Sequence, residues 1–345
     1  MPQSAPTARP RESSVAISAV NFWSGFSLRE GLISYLLEEA FGEFQVVAEE
    51  SDADIVLTSV FPHQATQYPE KSIAVIWENI RPNYDFYRFS LSSDFDSYDN
   101  RNCRVPGWYG QIKWPNRFKP TESRLFGHNY EEPLDIETLL RPRETIKRAR
   151  QKFCCFVSRY REPHRALAVE ALSRIAPIDL FGEVSGKRLL RSKYEILPDY
   201  RFNLCFENSI FPGYYTEKII HAWAAGCIPL YWSDPWFIAD FNPRAMINRI
   251  DFPSLEDFVD YVAEVDKSPE RRAAFLREPL LLQRPKLDDA VDFLRRALNA
   301  ITNGAARPSP AVSAAISPSS ARPGSRLLAS PFLSFMLGHR RRRRG

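Results

Sequence analysis

The stretch at residues 202–234, FNLCFENSIFPGYYTEKIIHAWAAGCIPLYWSD, does most to restrict what this chain can fold into. An apolar run reads as a buried strand. A polar loop follows, then a helix, a turn and a second buried strand. Alternation of that kind belongs to α/β sheets. The loop and the first helical turn concentrate Glu207, Asn208, Tyr214, Thr216, Glu217 and Lys218. The strand delivers these groups to one sheet edge, beyond the carboxyl ends of the strands, where nucleotides bind in open α/β sheets. A nucleotide or nucleotide-sugar site is the expectation.

The rest of the chain repeats the pattern. Strand-like runs fall at 15–20, 45–48, 54–61, 72–77 and 87–91, with helical period over 28–41. Residues 107–135 are rich in Trp, Tyr, Pro and Asn without period, and 136–151 reads as a charged linker helix. A second series then begins: strand 152–157, helix 165–175, strand 178–181, loop 182–192, strand 200–206, helix 215–225, strand 227–232, helices 255–265 and 269–278. This predicts two doubly wound α/β domains, at 14–150 and 151–303, with disordered ends at 1–13 and 304–345.

The net charge of +4 hides an asymmetry. Residues 304–345 hold eight arginines and no acid, so taking these from +4 leaves residues 1–303 at −4. An acidic body disfavours specific nucleic-acid binding, which needs basic surface. The end, PFLSFMLGHRRRRRG, pairs a short apolar patch with Arg340 to Arg344. Such a tail rests on an anionic membrane at about 1 kcal/mol per basic residue, stays solvated, or binds nucleic acid without specificity. Five cysteines, with no C-x-x-C, read as reduced thiols of a cytosolic protein. No signal-peptide h-region and no long apolar span are visible, so a cytoplasmic protein, peripheral at most to the inner membrane face, is expected.

Three places offer chemistry. Glu78 ends the apolar strand in IWENIRPN, half desolvated and half open, which suits a general base or a turn-capping glutamate. YYTEK, residues 214–218, opens a helix after Gly213. A helix N-terminus with Lys218 attracts phosphate, and Glu217 accepts ribose hydroxyls, or simply complements the dipole. In FGEVSGKRLLRSK, residues 181–193, Lys187, Arg188, Arg191 and Lys193 cluster after a strand end, a place to stabilise a leaving diphosphate. That loop matches neither a P-loop nor G-x-G-x-x-G. The D-x-D pairs Asp52/Asp54 and Asp94/Asp96 read as chance spacings, and the five histidines show no ligand spacing, so no metal is expected.

The segment FENSIFPGYYTEK, with the helix and I-P-L strand behind it, resembles the α-1,3/4-fucosyltransferase family, the enzymes of Lewis-type antigens. A second block, Glu78, Asn79, Pro82 and Asn83, matches the family's E-N-x-x-P-D/N. A third, Phe156 to Ser158, Arg165 and Glu170 to Leu172, matches F-V-S, an arginine and E-A-L. The resemblance runs from about residue 15 to 280. It implies a GT-B architecture, with two Rossmann-like domains facing a cleft. The donor, GDP-fucose, would lie on the second domain and an N-acetyllactosamine-type acceptor on the first. Transfer would invert the sugar and form an α-1,3 link by default. The resemblance makes Glu78 the base, with Trp77 and Asn79 at the acceptor. Ser158, Arg165, Asn208, Tyr214, Glu217 and Lys218 would serve the donor, with Arg188 or Lys187 on its diphosphate. No metal is obligatory in this scheme, a divalent cation being at most stimulatory. The heptad repeats common before the tail of bacterial relatives are missing here, and Arg159 to Arg161 replace their usual asparagine. A lipopolysaccharide O-chain fits a cytosolic enzyme with such a tail. The alternatives are another GDP-sugar transferase of this architecture and a non-catalytic glycan-binding relative.

Overall fold

Near-continuous apolar runs such as IVLTS and SIAVI have both faces covered, as parallel strands do. They build the first sheet of the computed structural model, which describes residues 14–23, 26–60, 66–115, 132–143, 150–159, 162–186 and 192–304. The strands are β1 (Val15–Val20), β2 (Phe44–Val46), β3 (Ile55–Ser59), β4 (Ser72–Ile76), β5 (Phe89–Ser92) and β6 (Asn102–Arg104). They pair in parallel in the order β2-β1-β3-β4-β5-β6, with helix α1 (Gly31–Phe41) crossing from β1 to β2. β6 has only three residues, NCR, too short to show a period, and the sequence reading passes over it.

A short helix, α2 (Ile136–Leu140), leads out of this sheet. The helix expected over 136–151 stops there. Arg141 is extended, with φ −104° and ψ 149°, because the ring of Pro142 disfavours helical backbone in the residue before it. Residues 144–149 of that expected helix lie outside the described residues, as do 1–13 and 305–345 of the expected disordered ends.

The second sheet contains β7 (Lys152–Val157), β8 (Ile178–Phe181), β9 (Tyr200–Leu204), β10 (Ile228–Tyr231) and β11 (Ile247–Asn248), parallel in the order β11-β10-β9-β7-β8. Helices α3 (Pro163–Leu172), α4 (Lys193–Ile196), α5 (Glu217–Ala224), α6 (Leu255–Lys267) and α7 (Pro269–Arg277) surround it. Pro163 opens α3 at a position that lacks a hydrogen-bonding partner in any case. Gly226, at φ +84°, ends α5 in the left-handed conformation that closes helix C-termini and turns the chain into β10.

The last helix, α8 (Asp288–Thr302), returns to the first sheet. The sequence reading leaves these residues with the second domain. Instead Val291, Phe293, Leu294 and Ala297 join the core of Ile17, Leu36 and Ile55. Arg295 donates to the carbonyls of Glu39 (2.7 Å) and Ala40 (3.1 Å) in the last turn of α1, where a cation suits the dipole.

Both sheets lie in one unit, residues 1–305. The seam between them is apolar and polar by turns. Ile219, Ile220 and Trp223 of α5 share the first core with Trp108 and Tyr109. Arg104 meets Asp240 through two bonds of 3.0 and 2.7 Å, and the Trp108 indole donates to the same carboxylate at 2.8 Å. The five cysteines are unpaired, four of them buried. Among the described residues no helix is long and apolar enough to cross a membrane.

Candidate active site

Glu207 sits just beyond β9, after the apolar run LCF, and is fully buried. A buried carboxylate must be satisfied by donors. This one accepts from the Thr216 N–H at 2.9 Å and the Tyr231 hydroxyl at 2.9 Å. It also accepts from the Thr216 hydroxyl at 2.8 Å and Lys218 Nζ at 3.1 Å. Lys218 Nζ donates to the Thr216 hydroxyl as well, at 2.9 Å. Burial lowers the Lys218 ammonium, but the Glu207 and Glu217 carboxylates outweigh it, so the lysine stays charged. Glu207 thus fixes the start of α5 and the rotamer of Lys218.

Arg165, on α3 and 1% exposed, ties the loop from the other side. It donates to the Phe206 carbonyl at 2.5 Å, Asn208 Oδ1 at 2.7 Å and Ser158 Oγ at 3.3 Å. Three residues expected at the donor, Ser158, Arg165 and Asn208, are therefore brought together. Arg165 acts mainly on the protein itself, although its Nε is buried without a partner. His164 supports the same loop, its Nε2 lying 3.1 Å from the Glu207 carbonyl.

Glu217 opens α5, with Lys193 Nζ 3.9 Å away. Burial pushes its carboxyl up, but Lys218 and Lys193 outweigh that and hold it well below the usual carboxylate range. Lys193 also donates to His221 Nδ1 at 3.0 Å, and His221 Nε2 meets Gln111 Oε1 of the first lobe at 2.9 Å. Burial and Lys193 keep the imidazole far below its ordinary value, so it is neutral, accepting at Nδ1 and donating at Nε2. Arg165, Lys193, Lys218 and His221 line one small polar cavity with Asn203 and Phe206. Lys187, Arg188 and Arg191 lie outside the described residues.

The first sheet presents Trp77, Glu78 and Asn79 to this edge, immediately after β4. The Tyr214 hydroxyl and the Glu78 carboxyl lie close enough for each to shift the other's titration. Burial pushes the Glu78 carboxyl above its usual value. Lys218 and the Tyr214 hydroxyl pull it down, and Glu217 and Glu207 push it up. Trp77 is anchored by its indole N–H on the Val105 carbonyl at 3.2 Å, and Trp23 lies 5.7 Å away, ring centre to ring centre. Asn79, expected at the acceptor, donates to Ser209 Oγ at 2.5 Å and accepts from Arg81 at 2.7 Å.

Sequence reasoning names Glu207 but gives it no role, and it passes over His164, His221 and Trp23. A charged residue directly after an apolar run was the available signal for Glu207. No local signal marks the histidines. Asp94 of the second D-x-D pair accepts from Arg81 and from the Tyr98 hydroxyl. Among the described residues no group of three or more His, Cys, Asp or Glu is placed to hold a metal ion.

Two family profiles match this arrangement in order. The α-(1,3)-fucosyltransferase FucT N-terminal domain matches residues 17–110, and the C-terminal part of glycosyltransferase family 10 (fucosyltransferase) matches residues 146–277. The chain belongs to glycosyltransferase family 10. Within that family, the α-(1,3)-fucosyltransferase FucT of Helicobacter pylori is 30% identical over 210 residues, 56% of this chain and 43% of the relative. The 3-galactosyl-N-acetylglucosaminide 4-α-L-fucosyltransferase of Homo sapiens is 30% identical over 130 residues, 36% of either chain. This chain therefore spans less than half the length of these curated relatives. A crystal structure of an α1,3-fucosyltransferase with GDP-fucose superposes with a TM-score of 0.62 at 22% identity, covering 85% of this chain and 94% of that one. The shared fold is the two-lobed GT-B arrangement.

Proposed function

We propose that the chain transfers L-fucose from GDP-β-L-fucose to a hydroxyl of an N-acetylglucosamine-containing glycan, forming an α-1,3 link with inversion. The observation that carries this reading is the meeting of the turn that holds Glu78, on one lobe, with the loop before α5 on the other: Asn79 donates to Ser209 Oγ at 2.5 Å, and the Arg81 guanidinium lies 3.3 Å from the Phe211 ring centre. A base belongs where acceptor and donor edges touch. The relatives' names supply the sugar and the linkage.

In this reading the acceptor oxygen attacks the anomeric carbon from the face opposite GDP. The bond from that carbon to the β-phosphate oxygen breaks, its electron pair leaving on GDP, and Glu78 takes the hydroxyl proton. A carboxylate raised above its ordinary value is better matched to that task near neutral pH. Lys218 and the N-terminus of α5 stabilise the charge developing on the diphosphate, and Lys187 and Arg188 are assigned the same task by resemblance. Glu217 holds the ribose, with Asn208 and Tyr214 lining the donor. Ser158 and Arg165 keep that loop in place. Trp77 lines the acceptor side, and Asn79 acts there through Ser209. No metal is required for these steps. The glycan is a lipopolysaccharide O-chain, reached in the cytoplasm with Arg340 to Arg344 resting on anionic lipid.

The test is GDP release from a panel of GDP-sugars, with N-acetyllactosamine and lacto-N-biose as acceptors. Acceptor-dependent release from GDP-fucose is expected, faster with N-acetyllactosamine. Preference for GDP-mannose sinks the donor assignment, and GDP binding without release from any donor sinks the catalytic reading. Release unchanged by a chelator is expected if no metal takes part.

A further inference from the structure

The loop that carries the donor-side residues, 208–214, is stitched to the first lobe at successive points. Ser209 accepts from Asn79 at 2.5 Å. The Phe211 ring lies under the Arg81 guanidinium, 3.3 Å from ring centre to carbon. Gly213, at φ +97°, passes so close to the Ser93 carbonyl that a Cβ there would stand 2.1 Å from its oxygen. Tyr214, next along the loop, is near enough to Glu78 for each to shift the other's titration. Asn79 and Arg81 follow the base directly along the chain, so the turn that begins at Glu78 and the donor loop are fastened to each other.

Arg81 is central to this fastening, and its own seat is well built. One arm meets Asp94 Oδ2 at 3.1 Å and another meets Asn79 Oδ1 at 2.7 Å. Asp94 is 6% exposed and also accepts from the Tyr98 hydroxyl at 2.6 Å. Tyr98, Asp99 and Asn100 are all left-handed, at φ 47°, 56° and 64°, a conformation non-glycine residues adopt at a cost of order 1 kcal/mol each. Asn102 Nδ2 holds that loop through the carbonyls of Asp94 (3.2 Å) and Asp96 (2.7 Å). The strained turn places Tyr98 and Asp94 where they grip Arg81.

We propose that Arg81 is a positioning residue: seated on Asp94, it grips Phe211 and, through Asn79, Ser209, and so sets Glu78 at its working distance from the donor loop. Arg81's role in this reading is carried by its protein contacts, to Asp94, Asn79 and Phe211. A planar cation suits both tasks, since guanidinium stacks on a ring while its edges bond to carboxylate and amide, which a lysine cannot reproduce. The inference rests on Glu78 acting as the base in fucosyl transfer.

The experiment is steady-state transfer from GDP-fucose to N-acetyllactosamine by the full chain. The set is wild type, Arg81→Ala, Arg81→Lys, Phe211→Leu and the Arg81→Ala/Phe211→Leu pair, with GDP Kd and thermal melting measured beside it. Misplacing a catalytic group by about 1 Å costs up to about 100-fold. Arg81→Ala is therefore expected to lower kcat about 30-fold, with GDP Kd within about 3-fold of wild type. Arg81→Lys should stay at least about 5-fold below wild type, because it restores charge without the stack. The pair should lose no more than Arg81→Ala alone, since both changes break one fastening. A kcat for Arg81→Ala within about 2-fold of wild type overturns the inference, as does a pair whose loss is the product of the single losses. If Arg81→Ala does not fold, Arg81→Lys and Phe211→Leu carry the same comparison. Wild-type protein that transfers no fucose removes the reading beneath the inference, an outcome distinct from active wild type with unaffected variants.

Discussion

The two sheet edges that meet in this molecule handle charge in opposite ways. On the second lobe charges are locked by pairing. Glu207 is satisfied by Thr216, Tyr231 and Lys218, Lys218 is held charged, and Glu217 is held ionised by two lysines. On the first lobe Glu78 has the Tyr214 hydroxyl and a balance of opposing charges, and its carboxyl is raised. A group that binds a diphosphate must keep one charge in every state of the cycle, so pairing suits it. A base changes protonation in every turnover, so an environment near balance suits it instead.

The largest expected effect comes from removing the group on the balanced side. Glu78→Gln should lower kcat by about 100-fold to 10,000-fold, the range for general-base catalysis, with GDP Kd unchanged. Because the folded carboxyl is raised above 4.5, its ionisation at neutral pH costs stability, so melting temperature should hold or rise in this variant. A parallel fall in GDP affinity would show that Glu78 belongs to the donor edge and erase the contrast.

On the paired side the cost should appear in stability. Glu207→Ala leaves Lys218 without its buried partner and should destabilise the fold by about 3–5 kcal/mol, read from denaturant unfolding. A loss below about 1 kcal/mol would mean that water replaces the carboxylate readily.

Acid should separate the edges without mutation. Glu78 must be ionised to act, and its carboxyl is raised, so transfer should fail as pH drops while still above 4.5. Glu217 is depressed and keeps its charge below 4.5, so GDP binding should persist through that window. Coincident loss of binding and transfer would contradict the assignment.

The smallest effect on transfer should come from deleting residues 305–345. Activity should stay within about 2-fold, while binding to vesicles rich in anionic lipid falls, since each basic residue contributes about 1 kcal/mol there. Unchanged vesicle binding would remove the tail from any membrane role.

The sequence by itself determined the α/β class, the positions of most strands and the segment that carries Glu207 to Lys218. It could do so because burial is written residue by residue: parallel strands read as apolar runs, helices show their period, and polar groups collect where a run ends. Three-residue β6, too short to show a period, left no trace, and Pro142 ended a helix that charge patterning alone would have continued. Only the tertiary structure decided partners far apart in the chain. It returned α8 to the first sheet, set Asn79 against Ser209, gave Asp94 to Arg81, and laid Arg81 on Phe211. Those choices follow from how two lobes pack along one seam, and no local stretch of sequence records which side chain will face which across it.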